Sequence, residues 1–293
     1  MEPRLLLPAD AALLEAFLAQ HRDSSMFLRS NARHGGLVDR GKYLQATYVG
    51  CFHDGALVGV AAHCWNGMLL VQAPGAGLAE TVCAAVKHSR RGVNGFSGPL
   101  DQIRAARRAL ALDQVPTQLE EQESLFALQL SELSVPEALR DGSLQCRPPL
   151  PQERQLLGDW RLGFDIESLN VKPSESARKR AGESVDAQIA AGNAWVVIAG
   201  GAPVSYSAFN AALPDIVQLG GIYTPPEQRN RGYARAAVAG SLLAARARGV
   251  TRAVLFTKNP SAMRAYEAVG FRRIGEYGLV LLARPAPSGP ASS

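Results

Sequence analysis

The sequence predicts a mixed α/β fold built twice: two domains, each a mixed, mostly antiparallel sheet flanked by helices. Three observations predict it. First, DGALVGVAAHCWNGMLLVQA (54–73) parallels GGAPVSYSAFNAALPDIVQL (200–219) without a gap, with Gly55 on Gly201 and Val71-Gln72 on Val217-Gln218. Each copy carries a Gly turn, an alternating run, a short loop and a second run, which is a hairpin pattern. Second, the hairpin in the C-terminal half is followed by alternating helix and strand patterns, the signature of a mixed sheet. Third, a chain of 293 residues is long enough for two domains of about 100–200 residues each.

In the second half a strand is expected near 143–147, then a helix over about 151–159. A Ser-, Ala- and charge-rich helix over 174–191 stops at Ala191-Gly192-Asn193, a good C-terminal signal. Strands follow at 194–200, 203–211 and 215–223, each with β-branched or aromatic alternation. A helix over 231–248, a strand at 252–257, a helix over 260–269 and a strand at 271–282 complete the domain. Pro260 suits a first helical turn and Gly270 a helix stop. The expected division is 1–134 and 143–283, with a linker around Val135-Pro136 and Asp141-Gly142. RPAPSGPASS (284–293) reads as a disordered tail.

The first half echoes the second beyond the hairpin. SRRGV (89–93) matches RARGV (246–250), and Pro99 matches Pro260, at growing separations. The first half therefore lacks about 15 residues, lost around the loop before the helix and again before the proline.

The most informative segment is IYTPPEQRNRGYARAAVAGSLL (222–243). A β-prone run ends at a Pro-Pro turn, a loop carries Arg229-x-x-Gly232-x-Ala234, and an Ala-rich helix begins at once. Free amides and a helix N-terminus at one loop suit an anion such as a pyrophosphate. Gly232 and Ala234 are small enough for close approach to the main chain, and Arg229, Arg231 and Arg235 add positive charge. No Gly-Lys-Ser/Thr follows, and the glycine spacing is wrong for a dinucleotide fingerprint.

A second segment, LFTKNPSAMRAYEAVGFRRIG (255–275), reads as strand, Asn259-Pro260, helix with Tyr266 at its middle, and a Gly270-Phe271 return. Together the two segments resemble the GCN5-related N-acetyltransferase (GNAT) superfamily over roughly 144–283. YTPPEQRNRGYA resembles its acyl-CoA pyrophosphate loop, and Asn259-Pro260 through Tyr266 to Gly270-Phe271 its second coenzyme-contacting stretch. The resemblance makes the whole chain a tandem of two GNAT-like domains. The first half is a degenerate copy: only APGAGLAE stands where the loop should be, and Ala105 stands where Tyr266 should be.

The resemblance implies an acetyl-CoA-dependent N-acetyltransferase that acts on a primary amine of a small molecule or peptide by direct attack. Acetyl-CoA would be a co-substrate, with no metal. The coenzyme would lie where the strand ending near Tyr223 splays from the strand ending near Thr257. Backbone groups of Ile222, Tyr223 and Thr224 would pair with its pantetheine arm. The amides of Arg229, Asn230, Arg231, Gly232, Tyr233 and Ala234 would hold the pyrophosphate. Asn259 would bind pantetheine amides or else cap its helix, and Arg264 would reach the 3′-phosphate or else face solvent. The Ile222 amide would steady the carbonyl's developing charge, and Tyr266 would protonate the leaving thiolate or else serve as a core aromatic. For the base, Glu183, Asp186 and Asp215 are open, each also explicable as a surface charge. Gln218 stands near where the family often carries a glutamate. Asp159, Asp165 and Glu167 could attract a cationic amine. The alternative from another class is a non-catalytic acyl-CoA-binding regulatory module.

Composition narrows the rest. The chain is 47% hydrophobic and 19% charged with net charge +5, which suits anionic small molecules better than nucleic acid. No apolar run reaches membrane-spanning length, and MEPRLLLPADAALLEAFLAQ lacks a convincing leader pattern, so a cytoplasmic protein without a membrane partner is expected. All five histidines and all four cysteines precede residue 150, which speaks against a His-based site or a Cys nucleophile in the C-terminal half. A monomer or a homodimer fits the tandem arrangement.

Overall fold

The computed structural model describes residues 1–287. In chain order the first elements are β1 (Glu2–Leu5), α1 (Ala11–Gln20), α2 (Met26–Gly35), β2 (Ala46–His53), β3 (Ala56–Cys64), β4 (Met68–Gln72), α3 (Leu78–Ser89), β5 (Val93–Pro99), α4 (Leu100–Ala109) and β6 (Thr117–Gln129). A short α5 (Glu137–Arg140) leads to β7 (Gln145–Arg147), α6 (Arg154–Leu169), α7 (Glu175–Ala190), β8 (Ala194–Ala199), β9 (Ala202–Ala212), β10 (Ile216–Tyr223), α8 (Tyr233–Ala247), β11 (Arg252–Thr257), α9 (Pro260–Glu267) and β12 (Arg272–Ala286).

The chain forms two compact units, each a mixed, mostly antiparallel sheet with helices. The division differs from the expected 1–134 and 143–283. One unit holds Met1–Ser124 together with residues 275–287, and the other holds Leu125–Ile274. The reason is pairing. Tyr277 to Leu281 of β12 run antiparallel to Gly95–Pro99 of β5, so the last strand completes the first unit's sheet. Such an exchange is set by partners far apart in sequence, which no local pattern reveals. β12 also runs on to Ala286, so residues 284–286 are strand rather than tail, and residues 288–293 lie outside the described residues.

The two units repeat one topology. In the first, β1–β2, β2–β3 and β3–β4 are antiparallel and β4–β5 is parallel across α3. In the second, β7–β8, β8–β9 and β9–β10 are antiparallel and β10–β11 is parallel across α8. Even the hairpin turns agree: Asp54-Gly55 and Gly200-Gly201 both have positive φ at the two central positions, the geometry that matches strand twist.

The second unit's core packs Trp195, Phe209, Leu219, Val238, Leu242, Leu255, Tyr266 and Phe271 between the sheet and α8 and α9. Alanines 236, 237, 239 and 245 are fully buried, so α8 lies close on the strands. A side chain at Gly240 would begin 2.3 Å from the Cys146 Cβ on β7. α6 runs further than the expected 151–159, through Gly158 and Gly163 to Leu169. Both glycines serve close approach, Gly158 to Gly182 of α7 and Gly163 to Tyr223. Ser174 Oγ caps α7 by accepting the Ala177 amide at 3.1 Å.

Candidate active site

β10 and β11 pair only over Ile216–Gln218 and Arg252–Val254. Beyond Gln218 only the pairing with β9 continues, with register shifts between Gln218 and Leu219 and again between Gly220 and Tyr223. Gly220 faces Ala208 and Tyr223 faces Tyr206, so Gly221 and Ile222 stand opposite a single residue. This is a β-bulge, and it takes Ile222 out of the ladder. Gly221 has φ of 67°, which an L side chain adopts only under strain. The strand therefore carries main-chain groups that face the gap between β10 and β11.

After the Pro225-Pro226 turn, the loop reaches α8 through Asn230 (φ 63°) and Gly232 (φ 79°), both left-handed. The first backbone bond of α8 is Ala236 N–H to Gly232 O at 3.1 Å. The amides of Tyr233, Ala234 and Arg235 precede it and have no intrahelical acceptor, so the positive end of the helix opens on the loop.

These pieces enclose a cavity of ≈ 640 Å³. Of the residues singled out in the sequence, Ile222, Tyr223, Thr224, Arg229, Asn230, Gly232, Tyr233, Ala234, Asn259, Arg264 and Tyr266 all line it. Arg231 does not, and it is exposed. Asn259 is a helix cap: its Oδ1 accepts the Ser261 and Ala262 amides at 2.9 and 3.3 Å. Arg264 donates to Ser261 Oγ at 3.1 Å. Tyr266 belongs to the core and to the cavity wall at once, its ring edge-on to Phe271 at 6.2 Å.

Arg229 does not point at the loop centre. Its Nε donates to Thr224 O at 2.9 Å, and Nη2 pairs with Glu167 Oε2 at 2.7 Å. Tyr223 Oη donates to the same carboxylate at 2.9 Å. Burial, and then the Glu167 carboxylate, hold the Tyr223 phenol above its ordinary pKa. α6 thus contributes Phe164, Glu167 and Ser168 to the wall, residues that the sequence reading either missed or gave no firm role. Their spacing at i, i+3 and i+4 was the available signal.

The acids weighed as bases (Glu183, Asp186 and Asp215), and Asp159 and Asp165, weighed as attractors of a cationic amine, lie elsewhere. Asp186 pairs with Arg154, Glu183 with Lys179 at 3.9 Å, and Asp159 with Arg178, all on the exposed faces of α6 and α7. Asp215 stands at the far end of β10, where its carbonyl accepts the Thr251 and Arg252 amides. Gln218 is buried, with Nε2 on Leu219 O at 2.6 Å, and is not part of the wall. Asp165 is bound to Arg161 at 2.9 Å; burial raises its pKa above the usual carboxylate range against the pull of that arginine. Glu167 is the one acid among the lining residues. Cys146 belongs to this unit but sits behind α8, where burial pushes its thiol up to about 12. Among the described residues no group of three or more His, Cys, Asp and Glu could hold a metal ion, and no helix is long and apolar enough to cross a membrane.

Residues 163–271 match the family described as Acetyltransferase (GNAT) family. No curated protein matches the chain. Among solved structures, a GCN5-related N-acetyltransferase from Sphaerobacter thermophilus aligns over 99% of this chain and 98% of its own, at 16% identity and TM-score 0.58. A tandem GNAT protein from the clavulanic acid biosynthesis pathway aligns over 99% of each chain, at 12% identity and TM-score 0.55. A GNAT-family acetyltransferase from Colwellia psychrerythraea aligns over 96% of this chain and 100% of its own, at 15% identity and TM-score 0.52. At these identities the likeness is one of fold. The splayed strands, the bulge and the open helix end all lie inside residues 163–271, the span that matches the GNAT family.

Proposed function

We propose that the protein is an acetyl-CoA-dependent N-acetyltransferase that transfers an acetyl group to a primary amine of a small molecule or peptide. The observation that carries this reading is the convergence of the bulge at Gly221–Ile222, the α8 amides and Tyr266 on one cavity. The groups present fit the coenzyme: strand groups beyond the end of the β10–β11 pairing for an amide-bearing arm, and a helix N-terminus with two small residues for a pyrophosphate.

Each residue then has a role. Amides from Arg229 to Ala234 hold the pyrophosphate, and the main chain of Ile222 and Thr224 aligns the pantetheine arm. Thr224 O is engaged by Arg229, so that side chain shifts when the arm pairs there. The Ile222 N–H faces the thioester carbonyl, where negative charge develops. In the transfer a C–N bond forms and the C–S bond breaks. The amine's proton leaves to water near Glu167, and the leaving thiolate takes a proton from Tyr266, which solvent restores. Asn259 positions α9, since its side-chain oxygen is used by the helix cap.

Calorimetric titration with acetyl-CoA, followed by thiol release over a panel of amines, tests the reading. Binding with amine-dependent thiol release supports it. Binding with no turnover on any amine leaves a coenzyme-sensing module instead, and no binding at millimolar coenzyme removes the reading altogether.

A further inference from the structure

Just behind the cavity wall, and not itself among the lining residues, α6 carries a guanidinium whose hydrogen bonding is incomplete. Arg161 shares one helix face with Phe164 and Ser168, at spacings of i, i+3 and i+7, and both of those residues line the cavity. Its Nε donates to Asp165 Oδ1 at 2.9 Å. Its Nη1 is buried with no hydrogen-bond partner among the described residues. That nitrogen lies 3.2 Å from where a side chain on Gly221 would begin, beside the bulge that frees Ile222. The Phe164 ring stands 5.5 Å from the guanidinium carbon and holds the group in place. A buried N–H without an acceptor is costly, and native structures keep few of them.

The local charge gives the missing acceptor its sign. Asp165 feels both Arg161 and Arg180, so two cations share one carboxylate and net positive charge remains. The nearest other acid on this wall, Glu167, already serves Arg229 and Tyr223. The edge of the guanidinium that Asp165 does not use, Nη1 and Nη2, is a planar fork that matches a carboxylate.

We propose that Arg161 recognises a carboxylate on the acceptor, so that the amines acetylated are amino acids or peptides whose carboxylate lies a few bonds from the reacting nitrogen. The proposal rests on the acetyltransferase reading above and names the substrate class of that same site. With the carboxylate on Arg161 beside Gly221, the amine is placed next to the Ile222 N–H, where the acetyl carbonyl belongs. Arg161 acts on binding and orientation, and it takes no proton in the transfer.

The test compares α-, β- and γ-amino acids with their own carboxamides in a thiol-release assay with acetyl-CoA. A carboxamide leaves the amine less basic and so more available as the neutral nucleophile, and without recognition it would be the better substrate. The expected result is a preference of about 30- to 100-fold in kcat/KM for at least one free carboxylate over its carboxamide. Arg161→Gln should abolish that preference through KM, Arg161→Lys should restore part of it, and acetyl-CoA affinity measured by calorimetry should stay within about twofold. Carboxamides that match or exceed the acids overturn the proposal on the unaltered protein, whatever the variants do. A loss confined to kcat in Arg161→Gln overturns it too, since that would mark an oxyanion role. Acetyl-CoA binding with no carboxylated amine acetylated also sinks it, whereas absent coenzyme binding is the separate failure of the acetyltransferase reading.

Discussion

The phenol of Tyr223 rests on the backbone of α6 at Gly163: a Cβ there would lie 2.7 Å from the Tyr223 oxygen and 2.9 Å from its ring carbon. That contact aims the hydroxyl at Glu167 and keeps the ring along the cavity wall. Gly163→Ala sets two effects against each other. Alanine favours a helix interior by about 0.5–1 kcal/mol, while the new methyl forces the tyrosine side chain aside. Because Tyr223 is half-buried and can swing, stability should change by no more than about 1 kcal/mol, whereas kcat/KM for the amine should fall at least about tenfold. Chemical denaturation and steady-state rates read the two effects separately. Full activity in Gly163→Ala would show that Tyr223 has no part in shaping the site.

Tyr266→Phe separates the two descriptions of that residue. Its ring is 8% exposed and packs on Phe271, and phenylalanine keeps that packing. Loss of the hydroxyl should lower kcat by about 100-fold if it protonates the thiolate, with acetyl-CoA affinity and the melting midpoint nearly unchanged. Unaltered kcat would leave Tyr266 a core aromatic.

The loop into α8 was legible because its signals are local: Pro-Pro, Gly232, Ala234 and an Ala-rich helix follow one another in sequence. The hairpins were legible for the same reason, through Asp54-Gly55 and Gly200-Gly201. What escaped depends on distant partners. Arg229 turns away from the loop because Glu167, 62 residues earlier, captures it. Glu183, Asp186 and Asp159 resembled candidate acids only until α6 and α7 packed and gave them surface arginines and a lysine. The bulge at Gly221 is a mismatch in register with β9, invisible until both strands are aligned.

His63 gives the first unit a pH dependence of its own. The side chain is fully buried on β3, Nδ1 lies 2.6 Å from Ser89 Oγ, and burial lowers its pKa to about 4. The unfolded chain, with an ordinary histidine near 6.5, binds the proton that the folded chain refuses between those values. Stability is therefore whole above pH 6.5 and declines as pH falls towards 4, by about 3 kcal/mol from this residue. Urea unfolding at several pH values should show that slope, and His63→Gln should flatten it even if the variant is less stable throughout. An unchanged slope in the variant would assign the acid sensitivity to the carboxylates.

The same repeat that builds two sheets predicts only one coenzyme site. In the first unit the amide just beyond β4, Ala73 N–H, is already taken by Gln102 Oε1 of α4 at 2.7 Å. Gln102 is itself buried, so that amide is closed to the arm of a ligand. Close backbone contact reinforces the closure, since a side chain on Gly98 would begin 2.7 Å from Val71 O. The loop into α3 is shorter than the loop into α8 and brings no arginine, and Gly77 is packed against Cys51. Anion binding at a helix end needs both open amides and room for the ligand's approach. The first unit has the helix end without the room. Calorimetry with acetyl-CoA should therefore saturate at one site per chain, and Gln102→Ala should not create a second. Two sites of similar affinity would mean that the Gln102 contact opens readily and that both copies of the fold are in use.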